Sequence, residues 1–205
     1  MILFLLGVAN EHIFPRRRKM DEIDHILLWT IKVCLVVLFV TLPMALAEEL
    51  PGDNYWLACS GGDAKIIERS LEQNPAWIHA TTDNGEACLH LAGIYGHGEV
   101  TTLLLSKGAD PNIRSTWEDG LRMHPLSWNV FGGHVENARL LLENGADVNA
   151  DFDSMVDKVH SVTVTDVALQ LQDVEDGDVR FEMMLSLLRK HGGKTMEEIR
   201  NANEL

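Results

Sequence analysis

Between Gly85 and Asn149 the chain writes one string of residues twice, thirty-seven positions apart. The first copy contains Leu89-His90-Leu91-Ala92, Gly96-His97, Leu103-Leu104-Leu105 and Gly108-Ala109-Asp110-Pro111-Asn112. The second contains Leu126-Ser127-Trp128-Asn129, Gly133-His134, Leu140-Leu141-Leu142 and Gly145-Ala146-Asp147-Val148-Asn149. Self-similarity at a period of roughly 20–50 residues marks a stacked array, in which each unit buries its apolar face only against its neighbours. Such arrays present extended binding surfaces and seldom catalytic pockets.

Within the first copy, Leu89, Leu91 and Ala92 line one short helix, and Gly96 ends it at a position suited to positive φ. Val100, Leu103, Leu104 and Leu105 recur at the three-to-four spacing of a second helix. Gly108 closes that helix, and Asp110-Pro111-Asn112 opens an extended turn.

Gly85-Glu86-Ala87-Cys88-Leu89-His90-Leu91-Ala92, Gly96-His97 and Gly108-Ala109-Asp110-Pro111-Asn112 resemble the ankyrin repeat. That family's pattern opens the first helix with Gly-x-Thr-Pro-Leu-His-x-Ala, and this unit departs from it at the Thr and Pro positions. The next unit, His124-Pro125-Leu126-Ser127, keeps the Pro and Leu. The resemblance implies an all-α solenoid of helix-turn-helix units joined by β-hairpin-like loops. Two weaker units flank the pair. Upstream, Trp56-Leu57-Ala58-Cys59 leads to Ile66, Ile67 and Leu71, with Asn74-Pro75-Ala76-Trp77-Ile78-His79 replacing the usual ending. Downstream, Thr163-Val164-Thr165-Asp166-Val167-Ala168 leads to Phe181, Met184, Leu185, Leu187 and Leu188. The expected units are about 53–84, 85–119, 120–153 and 160–194, an array over 50–194 followed by a tail at 195–205. Extra residues within 113–123, 150–162 and 170–179 are expected to project as loops, as insertions in solenoids do.

The front of the chain differs in kind. Arg16-Arg17-Arg18-Lys19 precedes a 21-residue apolar stretch, Ile26 to Leu46, interrupted by the single charge Lys32. Pro43 and Ala45-Leu46-Ala47 follow. A basic region, an apolar core and a small-x-small site make up a secretory signal peptide, with cleavage expected after Ala47. The same ~20 apolar residues also suffice to anchor an uncleaved helix, with the repeats outside the cytoplasm. A third reading is a buried core helix. Translation could begin at Met1 or at Met20. The chain's formal net charge is −14, from 17 basic and 31 acidic residues. Removal of residues 1–47 takes five basic and four acidic residues and leaves −15. This balance argues against nucleic acid and favours a basic partner or plain solubility. No Asn-x-Ser/Thr sequon follows residue 47.

No catalytic constellation emerges: there is no phosphate loop, paired-Cys zinc spacing or nucleophile elbow. The histidines His90, His97 and His134 fall at repeat positions, so no metal site and no cofactor are expected. Asp173 to Asp178 lacks the spacing of a calcium loop. Cys59 sits about five residues along its helix and Cys88 begins the next. An axial offset of ~7.5 Å plus a lateral spacing of ~8–10 Å leads to the expectation of two free thiols. Trp56, Trp77 and Trp128 are expected to face the stack interior.

The resemblance places partner contacts on the hairpin tips and the ends of the first helices, the concave face. The matching positions are Asp83, Asn84 and Glu86 on the first hairpin and Trp117, Glu118, Asp119, Leu121 and Arg122 on the second. On the helices they are Ile94, Tyr95 and Phe131. Tyr95, Trp117 and Phe131 would form an aromatic cluster rimmed by carboxylates, suited to a partner with an apolar anchor among basic groups. The alternative is that Phe131 and Ile94 fill inter-repeat gaps and Trp117 packs its own loop. The expected function is non-catalytic protein–protein interaction by a secreted or periplasmic monomer. Two rivals are a regulatory or inhibitory subunit of an envelope enzyme and a membrane-tethered structural adaptor.

Overall fold

The computed structural model describes residues 50–116, 121–153, 160–174 and 178–204. The front segment read as a signal peptide or anchor lies outside the described residues, as do Trp117, Glu118 and Asp119. Four helix pairs follow one another. They are α1 (Asp53–Gly61) with α2 (Ala64–Gln73), and α3 (Cys88–Tyr95) with α4 (Gly98–Ser106). Then come α5 (Pro125–Phe131) with α6 (Val135–Glu143), and α7 (Val164–Val174) with α8 (Val179–Lys190). The first helices stack on one another, as do the second helices. One buried core runs through the stack, including Ile67, Leu89, Val100, Leu104, Leu126, Leu141, Phe152, Ala168 and Leu188.

Each joint has a local cause. The break between helices is a left-handed glycine: Gly62 at φ 79°, Gly96 at φ 73° and Gly133 at φ 67°. Gly62 and Gly96 exclude a side chain for a second reason as well. A Cβ on Gly62 would lie 2.7 Å from His97 Nδ1, and one on Gly96 would lie 2.6 Å from His134 Nδ1. Each histidine reaches back across the junction, His97 Nε2–H to the Ser60 carbonyl (2.8 Å) and His134 Nε2–H to the Ile94 carbonyl (3.2 Å).

The repeat endings form a second ladder. Asn112 donates to the Gly145 carbonyl at 3.0 Å and accepts from Asp147 N–H at 2.7 Å. Asn149 repeats this one unit later, donating to the Gly192 carbonyl (3.1 Å) and accepting from Lys194 N–H (2.8 Å). One amide thus bonds two backbone groups of the following loop. In the first unit, a 3-10 turn over Pro75–His79 takes this place, and Ile78 stands where the asparagine would be.

At that junction Cys59 and Cys88 are joined by a disulfide, their Cα atoms 5.2 Å apart. The expectation of free thiols is therefore wrong. It treated equivalent residues of stacked helices as lying side by side and added the axial offset to the lateral one. The next junction shows the actual register. Gly93 stands at the place of Cys59, and Pro125 at that of Cys88. A Cβ on Gly93 would lie 3.1 Å from the Pro125 carbonyl oxygen and 2.7 Å from Asn129 Nδ2. At these two junctions the end of one first helix thus lies against the start of the next, and the small residue there lets the backbones approach. Closing the loop between two cysteines 29 residues apart contributes roughly 3–4 kcal/mol on the chain-entropy account.

Two further features differ from the sequence reading. The extra residues of the last unit partly lengthen α7, which runs for 11 residues against eight in α3 and seven in α5. The expected tail holds a helix, α9 (Met196–Asn203), started by a capping box. Glu198 N–H donates to Thr195 Oγ1 (3.1 Å), and Thr195 N–H donates to the Glu198 carboxylate (2.8 Å). The Thr-x-x-Glu signature of this start is visible in the sequence.

Candidate functional site

The hairpins between helix pairs carry most of the sequence-derived site. The first is a tight turn: Gly85 N–H donates to the Thr82 carbonyl (2.8 Å) and Thr82 N–H to the Glu86 carbonyl (2.9 Å). Thr81 and Ala87 pair across it. Asp83 and Asn84 therefore sit exposed at its tip, with Glu86 half-buried at its base. Burial holds the Glu86 carboxyl above its ordinary range. No cation is paired with Asp83 or Glu86 among the described residues.

The second hairpin is closed by Ser115 N–H to the Met123 carbonyl (3.0 Å). Its base is held from below by His90, whose Nε2–H donates to that same carbonyl (3.1 Å) while Nδ1 accepts from Ala87 N–H (3.0 Å). With both ring nitrogens used and the ring fully buried, His90 is held neutral, its pKa pushed down by burial to about 4. Hairpin two leans on hairpin three, the antiparallel pair β1 (Phe152–Asp153) and β2 (Ser161–Val162). Asp153 N–H donates to the Leu121 carbonyl (3.1 Å), and Arg122 grips the Asp153 carboxylate with two bonds of 3.0 and 2.8 Å. Arg122, offered by the sequence as a partner contact, thus fixes one hairpin to the next. Its backbone is the non-glycine position with positive φ among the described residues, at 50°. Arg114 likewise bonds the Asp151 carboxylate at 3.1 Å. Sequence reasoning missed both ion pairs, since nothing local signals them.

The helix positions separate. Tyr95 is 56 % exposed, and its ring stacks on His97 with centroids 5.9 Å apart. Ile94 is half-buried and lends its carbonyl to His134. Phe131 is half-buried against the core, its ring meeting Trp128 (6.5 Å) and Phe152 (6.3 Å). Leu121 is half-buried and also packs on the core. Phe131 therefore joins an aromatic group with Trp128 and Phe152, and Tyr95 stands apart from it on the neighbouring repeat. Trp56, Trp77 and Trp128 are all half-buried against the core, Trp56 and Trp77 in edge contact with Tyr55 (5.1 and 5.6 Å). Leu57, at the Leu91 and Trp128 place in its own repeat, is 66 % exposed. It belongs to the same face, and its place in the repeat alignment was the signal available.

A separate cleft of about 390 Å³ opens between the second helices α6 and α8, lined by Val135, Arg139, Met183 and Leu187 among others. It includes none of the sequence-derived site residues. Among the described residues, no group of three or more His, Cys, Asp or Glu side chains could hold a metal ion. No helix among them is long and apolar enough to cross a membrane.

A family model described as ankyrin repeats, three copies, matches residues 55–151. Similar proteins include the probable E3 ubiquitin-protein ligase XBOS33 of Oryza sativa subsp. japonica, 36% identical over 92 residues, or 44% of this chain and 17% of the relative. A transient receptor potential cation channel subfamily A member 1 homolog of Caenorhabditis elegans is 28% identical over 97 residues, 47% of this chain and 8% of the relative. An ankyrin repeat-containing protein of Schizosaccharomyces pombe is 33% identical over 67 residues, 33% of this chain and 31% of the relative. The chain spans less than a third of the length of each. The likeness to the ligase and the channel is confined to a small part of those proteins, and ankyrin repeats are in general a non-catalytic protein–protein interaction domain. The stacked helix pairs and the match together show that residues 55–151 of this chain are ankyrin repeats.

Proposed function

We propose that the chain is a protein-binding module working outside the cytoplasm, its partner engaging the first-helix ends and hairpin tips. The observation that carries the surface is the contrast in exposure along it. Leu57 and Tyr95 present apolar area to solvent on successive repeats, while Asp83, Asn84 and Glu86 set polar groups between them. Exposed apolar and aromatic side chains beside carboxylates suit a partner with an apolar anchor and basic surroundings. A solenoid held by the histidine and asparagine ladders loses little backbone freedom on binding. Trp117, Glu118 and Asp119 complete the proposed surface on the second hairpin. The compartment is supported by the Cys59–Cys88 disulfide, because such bonds persist where the surroundings oxidise thiols, and by the basic and apolar run before Glu48. The protein is proposed to be monomeric by itself.

Capture from an envelope or secreted extract tests the reading. Tyr95→Ala combined with Leu57→Ser should weaken capture of the partner at least tenfold, and Thr102→Ala on the exposed side of α4 should leave it unchanged. Equal capture by all three forms would refute the surface.

A further inference from the structure

The junctions between repeats are not built alike. The second and third repeats, and the third and fourth, are tied by the two-bond asparagine bridges of Asn112 and Asn149. Ile78 occupies the corresponding place in the first repeat, where it packs against the core and has no amide to offer. The first junction retains the His97 bond to the Ser60 carbonyl. The disulfide is found at that same junction.

We propose that the Cys59–Cys88 bond is a redox joint, which makes docking of the first repeat conditional on an oxidising environment while the rest of the array stands without it. Forming the bond removes one proton and one electron from each thiol. A disulfide oxidant, of small molecule or protein, takes up both electrons and both protons and leaves as a dithiol. A dithiol reductant reverses the step and leaves as its own disulfide. Both sulfurs belong to side chains essentially sealed from water, Cys59 at 0% and Cys88 at 1% exposure. Exchange at either sulfur therefore requires α1 to lift away from α3, so bond formation is coupled to docking of the repeat. Leu57 and the scaffold beneath the Asp83 hairpin move with that repeat, so its contribution to the surface is present only in the oxidised chain. The inference rests on the junctions alone and holds whichever face a partner uses.

Hydrogen exchange of the full chain, read by peptide mass with and without dithiothreitol, tests it. With reductant, amides of α1 and α2 should exchange on the order of 100-fold faster, and those of α6 and α8 should keep their rates. A Cys59→Ala/Cys88→Ala chain should show the same pattern without reductant and no further response to it. Uniform acceleration across all eight repeat helices, or no acceleration in α1 and α2, would overturn the proposal. Should the double variant fail to fold, the reductant series on the unaltered chain decides between the same outcomes.

Discussion

Replacing Gly96 by Ala separates two demands that the fold places on one residue. The backbone there is left-handed, φ 73°, and a Cβ in that conformation costs roughly 1–2 kcal/mol. The same Cβ would lie 2.6 Å from His134 Nδ1 and 2.9 Å from its Cγ. The imidazole must therefore leave its place and give up its 3.2 Å bond to the Ile94 carbonyl. A neutral hydrogen bond contributes about 1 kcal/mol net, so Gly96→Ala should cost about 2–3 kcal/mol in all. Gly108 isolates the first demand. It is left-handed at φ 92°, yet a Cβ there would meet nothing within 4 Å, so Gly108→Ala should cost only about 1–2 kcal/mol. Urea unfolding followed by far-ultraviolet dichroism gives both values by linear extrapolation. A double-mutant cycle completes the argument. In a His134→Ala background, the cost of Gly96→Ala should fall to that of Gly108→Ala, while the cost of Gly108→Ala should not change. Equal costs for the two glycines in the unaltered background would refute the claim that the junction histidine fixes the glycine.

Other consequences follow from the same contacts. His90 is neutral in the fold, with a pKa near 4, and about 6.5 when unfolded. The unfolded chain thus binds the extra proton between those values, so stability is complete above pH 6.5 and falls as pH drops toward 4, by about 3 kcal/mol for this group. Urea midpoints from pH 7.5 to 4 should show that loss, and a His90→Gln chain should show a clearly smaller slope. Asn112→Ala removes two exposed bridging bonds and should cost about 1–2 kcal/mol in the same assay. Its effect on hydrogen exchange should centre on the second and third repeats. Arg122→Ala should lower the urea midpoint only slightly, because its pair with Asp153 is exposed on the arginine side. Arg122→Gly should cost less than Arg122→Ala, since the positive φ of 50° suits glycine. A larger cost for the glycine variant, measured by urea midpoint, would contradict that reading.

The paired helices were legible because the sequence encodes them locally, in glycines that break, leucines at helical spacing and asparagines that bridge. The disulfide was not legible, because it depends on how far one helix is offset against the next. The clue was nonetheless present: Gly93 and Pro125 occupy the same two places one repeat later. Arg122 reads as a free surface cation until the approach of hairpin three brings Asp153 beneath it. Leu121 likewise reads as a surface position, whereas Phe131 reads equally as a partner contact or a gap filler, and the aromatic group of Trp128 and Phe152 draws it inward. Tyr95, at the corresponding end of the neighbouring first helix, remains exposed. The difference lies in what the adjoining hairpin supplies, which spacing along one helix does not encode.

Partners are proposed to meet the first-helix face. A photo-crosslinking residue placed at Tyr95, and separately at Thr102 on α4, tests this most directly in the compartment where the chain works. A protein adduct is expected from position 95 and none from position 102. An adduct from position 102 alone would contradict it.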